Sequence, residues 1–137
     1  MSKNNFLIIA VLFLMFFCAP RSALASRAGL VIGKGDGQIK TACVEFDKEV
    51  ISGMTVLKQS GFPIIEKDGF IISIDETASK DSSQMAGDDY FWSYWKMNGA
   101  WTFQNVGANY SLVKDGDVEG WLFGSGSLNL PSIKFSD

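Results

Sequence analysis

Apolar and polar positions alternate along much of this chain, and the breaks in the alternation mark out its elements. Leu30-Val31-Ile32 is a short apolar run closed by Gly33-Lys34-Gly35-Asp36-Gly37. Glycines at every second position of that pentapeptide predict a turn, because glycine reaches positive φ without steric cost. Ile39 to Phe46 then alternates, with Ala42, Val44 and Phe46 on one face, so the two runs predict a β-hairpin. Between Ser52 and Pro63 the period changes. Ser52 is placed to cap, Val56 and Leu57 face inward, and Gly61 with Pro63 stops the segment, which predicts one short helix. An isolated helix of about 12 residues or fewer is marginal, so a sheet must hold it.

Phe70-Ile71-Ile72-Ser73-Ile74-Asp75 predicts the next strand, entered by the turn Lys67-Asp68-Gly69. Thr77 to Asp89 has no apolar period and reads as an exposed loop. Tyr90 to Met97 is a strand rich in aromatics, and it ends at Asn98-Gly99, a two-residue hairpin signal. Trp101 to Asn105 is its return strand. Tyr110-Ser111-Leu112-Val113 leads to a turn at Lys114-Asp115-Gly116-Asp117, and Val118 to Phe123 is the last strand. The order ββ-α-β-ββ-β predicts an α+β fold with a mostly antiparallel sheet and the helix on one face, and a β-grasp-like arrangement satisfies it.

The chain has 137 residues, but the part expected to fold is shorter. Phe6 to Phe17 is apolar throughout, Lys3 precedes it, and Pro20, Arg21 and Ala23-Leu24-Ala25 follow. Basic start, apolar middle and A-x-A end predict a secretory signal peptide over residues 1–25. The apolar run is short of the roughly 20 residues a membrane-spanning helix needs. Residues 26–123 are expected to form the domain and 124–137 a flexible C-terminal tail. Removal of the leader leaves ten basic and fifteen acidic residues, a net charge of −5. The address implied is exported, periplasmic or extracellular, with no membrane span after cleavage.

An acidic chain without a Lys/Arg cluster is a poor nucleic-acid binder, since phosphate neutralisation supplies most of that affinity. Histidine is absent, which removes the commonest general base and the commonest metal ligand together. There is no G-x-S-x-G elbow and no Walker loop, so the expectation is a non-catalytic protein without a cofactor. Asp115 and Asp117 flank Gly116 as turn residues do, and Asp88-Asp89 read as loop solvation. Cys18 falls in the leader, either lost with it or, in a lipoprotein, acylated. With it gone, Cys43 is expected to be a small buried hydrophobe, the alternative being a reactive or intermolecular thiol.

The aromatics carry the most information. Period two puts Tyr90, Trp92 and Tyr94 on one face and Phe91, Ser93, Trp95 and Met97 on the other. One set fits a core. The other is either covered by the neighbouring loop or forms a binding platform that Trp101 extends across the hairpin.

The order Phe91-Trp92-Ser93-Tyr94-Trp95, Asn98-Gly99-x-Trp101, Gly107, Tyr110 and Lys114-Asp115-Gly116-Asp117-Val118-Glu119-Gly120-Trp121 resembles small exported domains similar to the C-terminal domain of transcobalamin. The helix segment ending at Ser60-Gly61 is similar to theirs as well. The resemblance runs from about Cys43 to Pro131. It implies a β-grasp-like fold and a corrinoid or other small ligand. It also implies, through free-standing versions that accompany energy-coupling-factor-type uptake, a membrane transporter subunit as a partner. The helical partner domain of transcobalamin has no counterpart here, and without histidine any corrinoid contact would be stacking and edge packing. The expected ligand-binding residues are Trp92, Tyr94, Trp95 and Trp101, with Tyr110 and Trp121 nearby or in the core. The alternative expectation is an accessory subunit whose tail docks on a protein partner.

Overall fold

The predicted first hairpin forms as β1 (Ser26–Gly33) and β2 (Ile39–Phe46), paired antiparallel from Ser26↔Phe46 to Gly33↔Ile39. The structure, a computed structural model, describes residues 25–78, 91–124 and 130–131. After the hairpin come β3 (Val50–Ser52), the helix α1 (Gly53–Gln59), and the strands β4 (Ile64–Lys67), β5 (Phe70–Ile74) and β6 (Thr77–Ala78). The aromatic strand is β7 (Trp92–Asn98), its return β8 (Ala100–Phe103), followed by β9 (Leu112–Lys114) and β10 (Val118–Phe123). The main sheet has the order β2-β1-β10-β7-β8, a pair joins β3 to β9, and a third sheet runs β4-β5-β6. Strand pairing is antiparallel except between β1 and β10, which run parallel from Gly29↔Val118 to Gly33↔Leu122. The fold is α+β and has the β-grasp plan, with first and last strands side by side at the centre.

The helix begins and ends where capping chemistry puts it. Ser52 is extended, and its Oγ accepts from the Thr55 amide at 3.1 Å. Ser60 closes the last turn, its hydroxyl donating to the Leu57 carbonyl at 2.6 Å. Met54, Val56 and Leu57 are buried among Leu30, Ile32, Ile51 and Trp121. A helix of seven residues has no stability of its own, so this burial and the Ser52 cap hold it together.

The expected strand at Phe70–Asp75 is part of a small meander that local alternation did not reveal. The strands β3, β4 and β6 are two to four residues long, too short to display a period. Two turns make the meander. Asp68-Gly69 joins β4 to β5, and Asp75-Glu76 joins β5 to β6, all four residues lying at positive φ. Left-handed backbone is strained for Asp75 and Glu76, and Lys34 holds the first of them. Its Nζ donates to the Asp75 carbonyl at 2.9 Å and pairs with the Asp75 carboxylate at 2.7 Å, with Lys40 on the same oxygen. The hydrogen bonds from these two lysines keep the Asp75 carboxyl below its usual pKa. Beyond Ala78 the expected long loop lies outside the described residues.

Ser52→Ala removes the one side-chain cap at the start of α1 and should lower unfolding free energy by about 1 kcal/mol in urea denaturation, whereas Ser52→Asn, which can cap, should lose only a few tenths.

Candidate functional site

Alternation along β7 and β10 sends their side chains to two faces of the main sheet, and each face has its own fate. On the inner face Trp92, Tyr94 and Trp121 are buried with the helix and the β1 side chains. Trp92 lies 5.1 Å from Phe123 between ring centres, and Tyr94 lies 5.0 Å from Trp121. The Trp92 indole N–H donates to the Thr77 carbonyl at 3.0 Å, tying β7 to the meander. On the outer face stand Val31, Val118 and Leu122, with Trp95, Met97 and Trp101 partly buried beside them. Phe103 joins them from β8, edge-on to Trp95 at 5.3 Å.

The six expected ligand-binding aromatics therefore do not share a surface. Trp92, Tyr94 and Trp121 are core residues, because helix α1 covers the face they occupy. Tyr110 is 80% exposed in the loop between β8 and β9, away from both faces' cores. Only Trp95 and Trp101 form a half-open aromatic surface, across the hairpin as expected, and Phe103 extends it. Trp95 is held rigidly. Its indole N–H donates to Ser93 Oγ at 2.8 Å, and that hydroxyl donates to the Leu122 carbonyl at 3.1 Å.

Sequence reasoning missed the residues that shape this surface from below and above. Gly33 and Gly120 sit in strands on the outer face, and Leu130, from the expected tail, is buried there. Glycine inside a strand is the one local sign of such a close approach. Nothing adjacent to Leu130 announces its burial. Apart from Gly124, Leu130 and Pro131, the expected tail lies outside the described residues.

A second polar feature sits on the inner face. Glu119 is fully buried, and Tyr94 donates its hydroxyl to Glu119 Oε1. Glu119 Oε2 and Trp121 Nε1 have no hydrogen-bond partner among the described residues. The start of α1 presses on this pair: a Cβ on Gly53 would collide with the Tyr94 hydroxyl and stand 3.0 Å from Glu119 Oε1. Burial pushes the Glu119 carboxyl up to about 7, against the opposing pull of the Tyr94 bond and the Lys96 charge, with Asp117 adding to the rise. The Tyr94 hydroxyl is also raised, by burial first and the Glu119 charge second.

The expected turn role holds for Asp117, whereas the Asp115 side chain ties the turn to β1. Asp115 Oδ1 accepts from the Arg27 amide at 2.9 Å, and Asp117 Oδ2 accepts from the Lys114 amide at 2.9 Å. Among the described residues no three His, Cys, Asp or Glu side chains stand together as a metal site would require. Asp88 and Asp89 lie outside the described residues. Cys43 is half-buried, opposite Gly29 on the edge strand of the main sheet, and is disulfide-bonded in the 137-residue chain. The other cysteine of the sequence, Cys18, falls in the expected leader, so that bond does not bear on the thiol expected once the leader is gone. A cleft of about 370 Å³ near the end of β2, lined by Glu45, Asp47, Lys48 and Thr55 among others, contains none of the six aromatics.

These elements define an α+β domain with a covered inner face and a half-open aromatic outer face. No protein-family model matches the chain, and no curated protein does. Among solved structures it is similar to a protein of Ruminococcus gnavus ATCC 29149 that carries the description "putative metal binding protein". The two share 21% identity at a TM-score of 0.50, over 74% of this chain and 98% of the other. At that identity the likeness is one of fold.

The Glu119 site has a pH signature. Unfolded, the carboxyl titrates near 4.5; folded, near 7. Between those values the folded state keeps a proton that the unfolded chain has released, so stability is full below the lower value and falls as pH rises through the upper one. The loss is on the order of 3 kcal/mol between pH 4.5 and 7. Urea midpoints measured at pH 5 and pH 8 should show this decline in the natural chain and a flatter profile in Glu119→Gln. Gly53→Ala should destabilise by about 1–3 kcal/mol through overpacking, and Tyr94→Phe should restore part of that.

Proposed function

We propose that this protein is an exported, non-catalytic binding module that takes its ligand on the outer face of the main sheet. The observation that carries the reading is the set of Trp95, Trp101 and Phe103: large rings left partly open on a sheet whose other face is packed against the helix at its centre. Exposed aromatics on a rigid support lose little conformational freedom on binding and offer large contact area with a polar edge. The resemblance of the Phe91-to-Trp121 pattern to transcobalamin-like domains supports a small planar ligand of the corrinoid kind, delivered to an uptake system. The R. gnavus neighbour's description as metal-binding is compatible with a ligand that itself contains a metal. The described residues of this chain offer no cluster of their own for a bare ion.

A second reading has its own observation. The segment Leu130–Pro131 already rests on the outer face, with the Trp101 indole N–H donating to the Pro131 carbonyl at 3.0 Å. A surface that takes peptide in this way suits an accessory subunit docking on a transporter or another surface protein.

Titration of the 26–137 chain with a corrinoid, followed by tryptophan fluorescence and calorimetry, should give a quench and a saturable heat. Trp101→Ala should weaken that binding roughly tenfold, the loss of one aromatic contact. Absence of both quench and heat at millimolar corrinoid would remove the small-molecule reading and leave the docking one.

A further inference from the structure

The outer face contains a socket whose shape explains two glycines. Gly33 on β1 and Gly120 on β10 are two residues apart in register and so share a face, since Val31 pairs with Gly120 and Gly33 pairs with Leu122. Neither has positive φ, so neither is there for backbone freedom. Both are there for space. A Cβ on Gly33 would lie 2.9 Å from Leu130 Cδ2, and a Cβ on Gly120 would lie 2.8 Å from Leu130 Cδ1 and 2.8 Å from Trp101 Cζ3. Each methyl of Leu130 thus sits over one glycine, and the side chain is left only 7% exposed. Trp101 closes the socket on one side and binds the next residue through the Pro131 carbonyl.

The attachment of the occupant is unlike that of a strand. The last sheet residue is Phe123, and no strand includes Leu130 or Pro131. Among the described residues, what holds the segment is one side chain in a hole and one hydrogen bond from an indole. The intervening sequence, Gly124-Ser125-Gly126-Ser127-Leu128-Asn129, begins with the glycine and serine typical of tethers. A leucine followed by a proline, seated by side chain and carbonyl and linked by glycine and serine, is built as a ligand tied to its receptor.

We infer that the outer face is a recognition site for an extended segment presenting leucine followed by proline, and that the chain's own Leu130–Pro131 occupies it in cis. A segment joined to its site by so few residues has an effective concentration of the order of millimolar. A segment of the same chemistry arriving in trans therefore competes with an internal occupant, and its apparent affinity drops by the fraction of sites left open. The inference rests on reading the outer face as a binding surface. It commits that surface to a peptide, and its probe is a peptide, so failure of the corrinoid titration leaves its outcome unaffected.

The experiment uses the full chain and a synthetic peptide of residues 127–137. Leu130→Asp should empty the socket while leaving the sheet intact. The peptide should then bind Leu130→Asp with a change in tryptophan emission, and bind the natural chain at least roughly tenfold more weakly. A peptide with aspartate at the position of Leu130 should bind neither, and Gly120→Ala added to Leu130→Asp should abolish binding by filling the socket. If Leu130→Asp does not melt cooperatively, Leu130→Ala takes its place. No peptide binding to a cooperatively folded variant would overturn the inference, as would equal binding to natural and variant chains. Unfolding of both variants would overturn it too, by making Leu130 an integral part of the core. A natural chain that sediments as a dimer and becomes monomeric in Leu130→Asp would transfer the occupant to a second copy and defeat the in-cis assignment.

Discussion

Parallel pairing of β1 with β10 brings the beginning and the end of the domain together at the centre of one sheet, and the other features depend on it. The turn before β10 anchors that pairing at its start. The Arg27 amide donates to Asp115, the Gly116 amide donates to the Arg27 carbonyl at 2.8 Å, and the Gly29 amide donates to the Asp117 carbonyl at 2.9 Å. A one-residue slip would move every β10 side chain to the opposite face. Glu119 and Trp121 would leave the helix side, and Gly120 would no longer open a space on the outer side. Register is therefore what separates a covered face from a half-open one.

Strand β10 is buried on both faces, which accounts for its composition. Its inner positions supply Trp121 and Phe123 to the helix-covered core, and its outer positions supply Val118, Gly120 and Leu122 to the second cluster. The exception is Glu119, a carboxylate where an apolar residue would be the simpler choice. Its bond from Tyr94 satisfies one oxygen, and the close approach of α1 at Gly53 leaves no room to rearrange. Burying a carboxylate without full pairing favours its neutral form. The helix start, the aromatic strand and the last strand meet at this one group, so its protonation bears on all three.

The hairpin β1–β2, the helix and β10 were legible because each is long enough to show a period or carries its own punctuation: the glycine turn after Gly33, Ser52 before the helix, and Asp115-Gly116-Asp117 before the last strand. The strands β3, β4 and β6 were not, since so few residues can be made strands only by the partners they meet. The candidate site was half legible. Alternation correctly divided Trp92 and Tyr94 from Trp95 and Met97, and the Asn98-Gly99 turn correctly brought Trp101 next to the second set. Tyr110 lies in a loop, where no period assigns a face.

Facing within an element is a relation between near neighbours in the chain, so the order of residues was enough to establish it, along with the α+β class and the turn at each glycine cluster. Which face is covered is a relation between segments far apart. Helix α1 buries the Trp92–Tyr94 side from some forty residues upstream, and Leu130 reaches the Trp101 side from beyond the last strand. No local pattern encodes such a meeting. Burial is decided by three-dimensional packing, and the packing moved Trp92, Tyr94 and Trp121 into the core while leaving Trp95 and Trp101 on the half-open face.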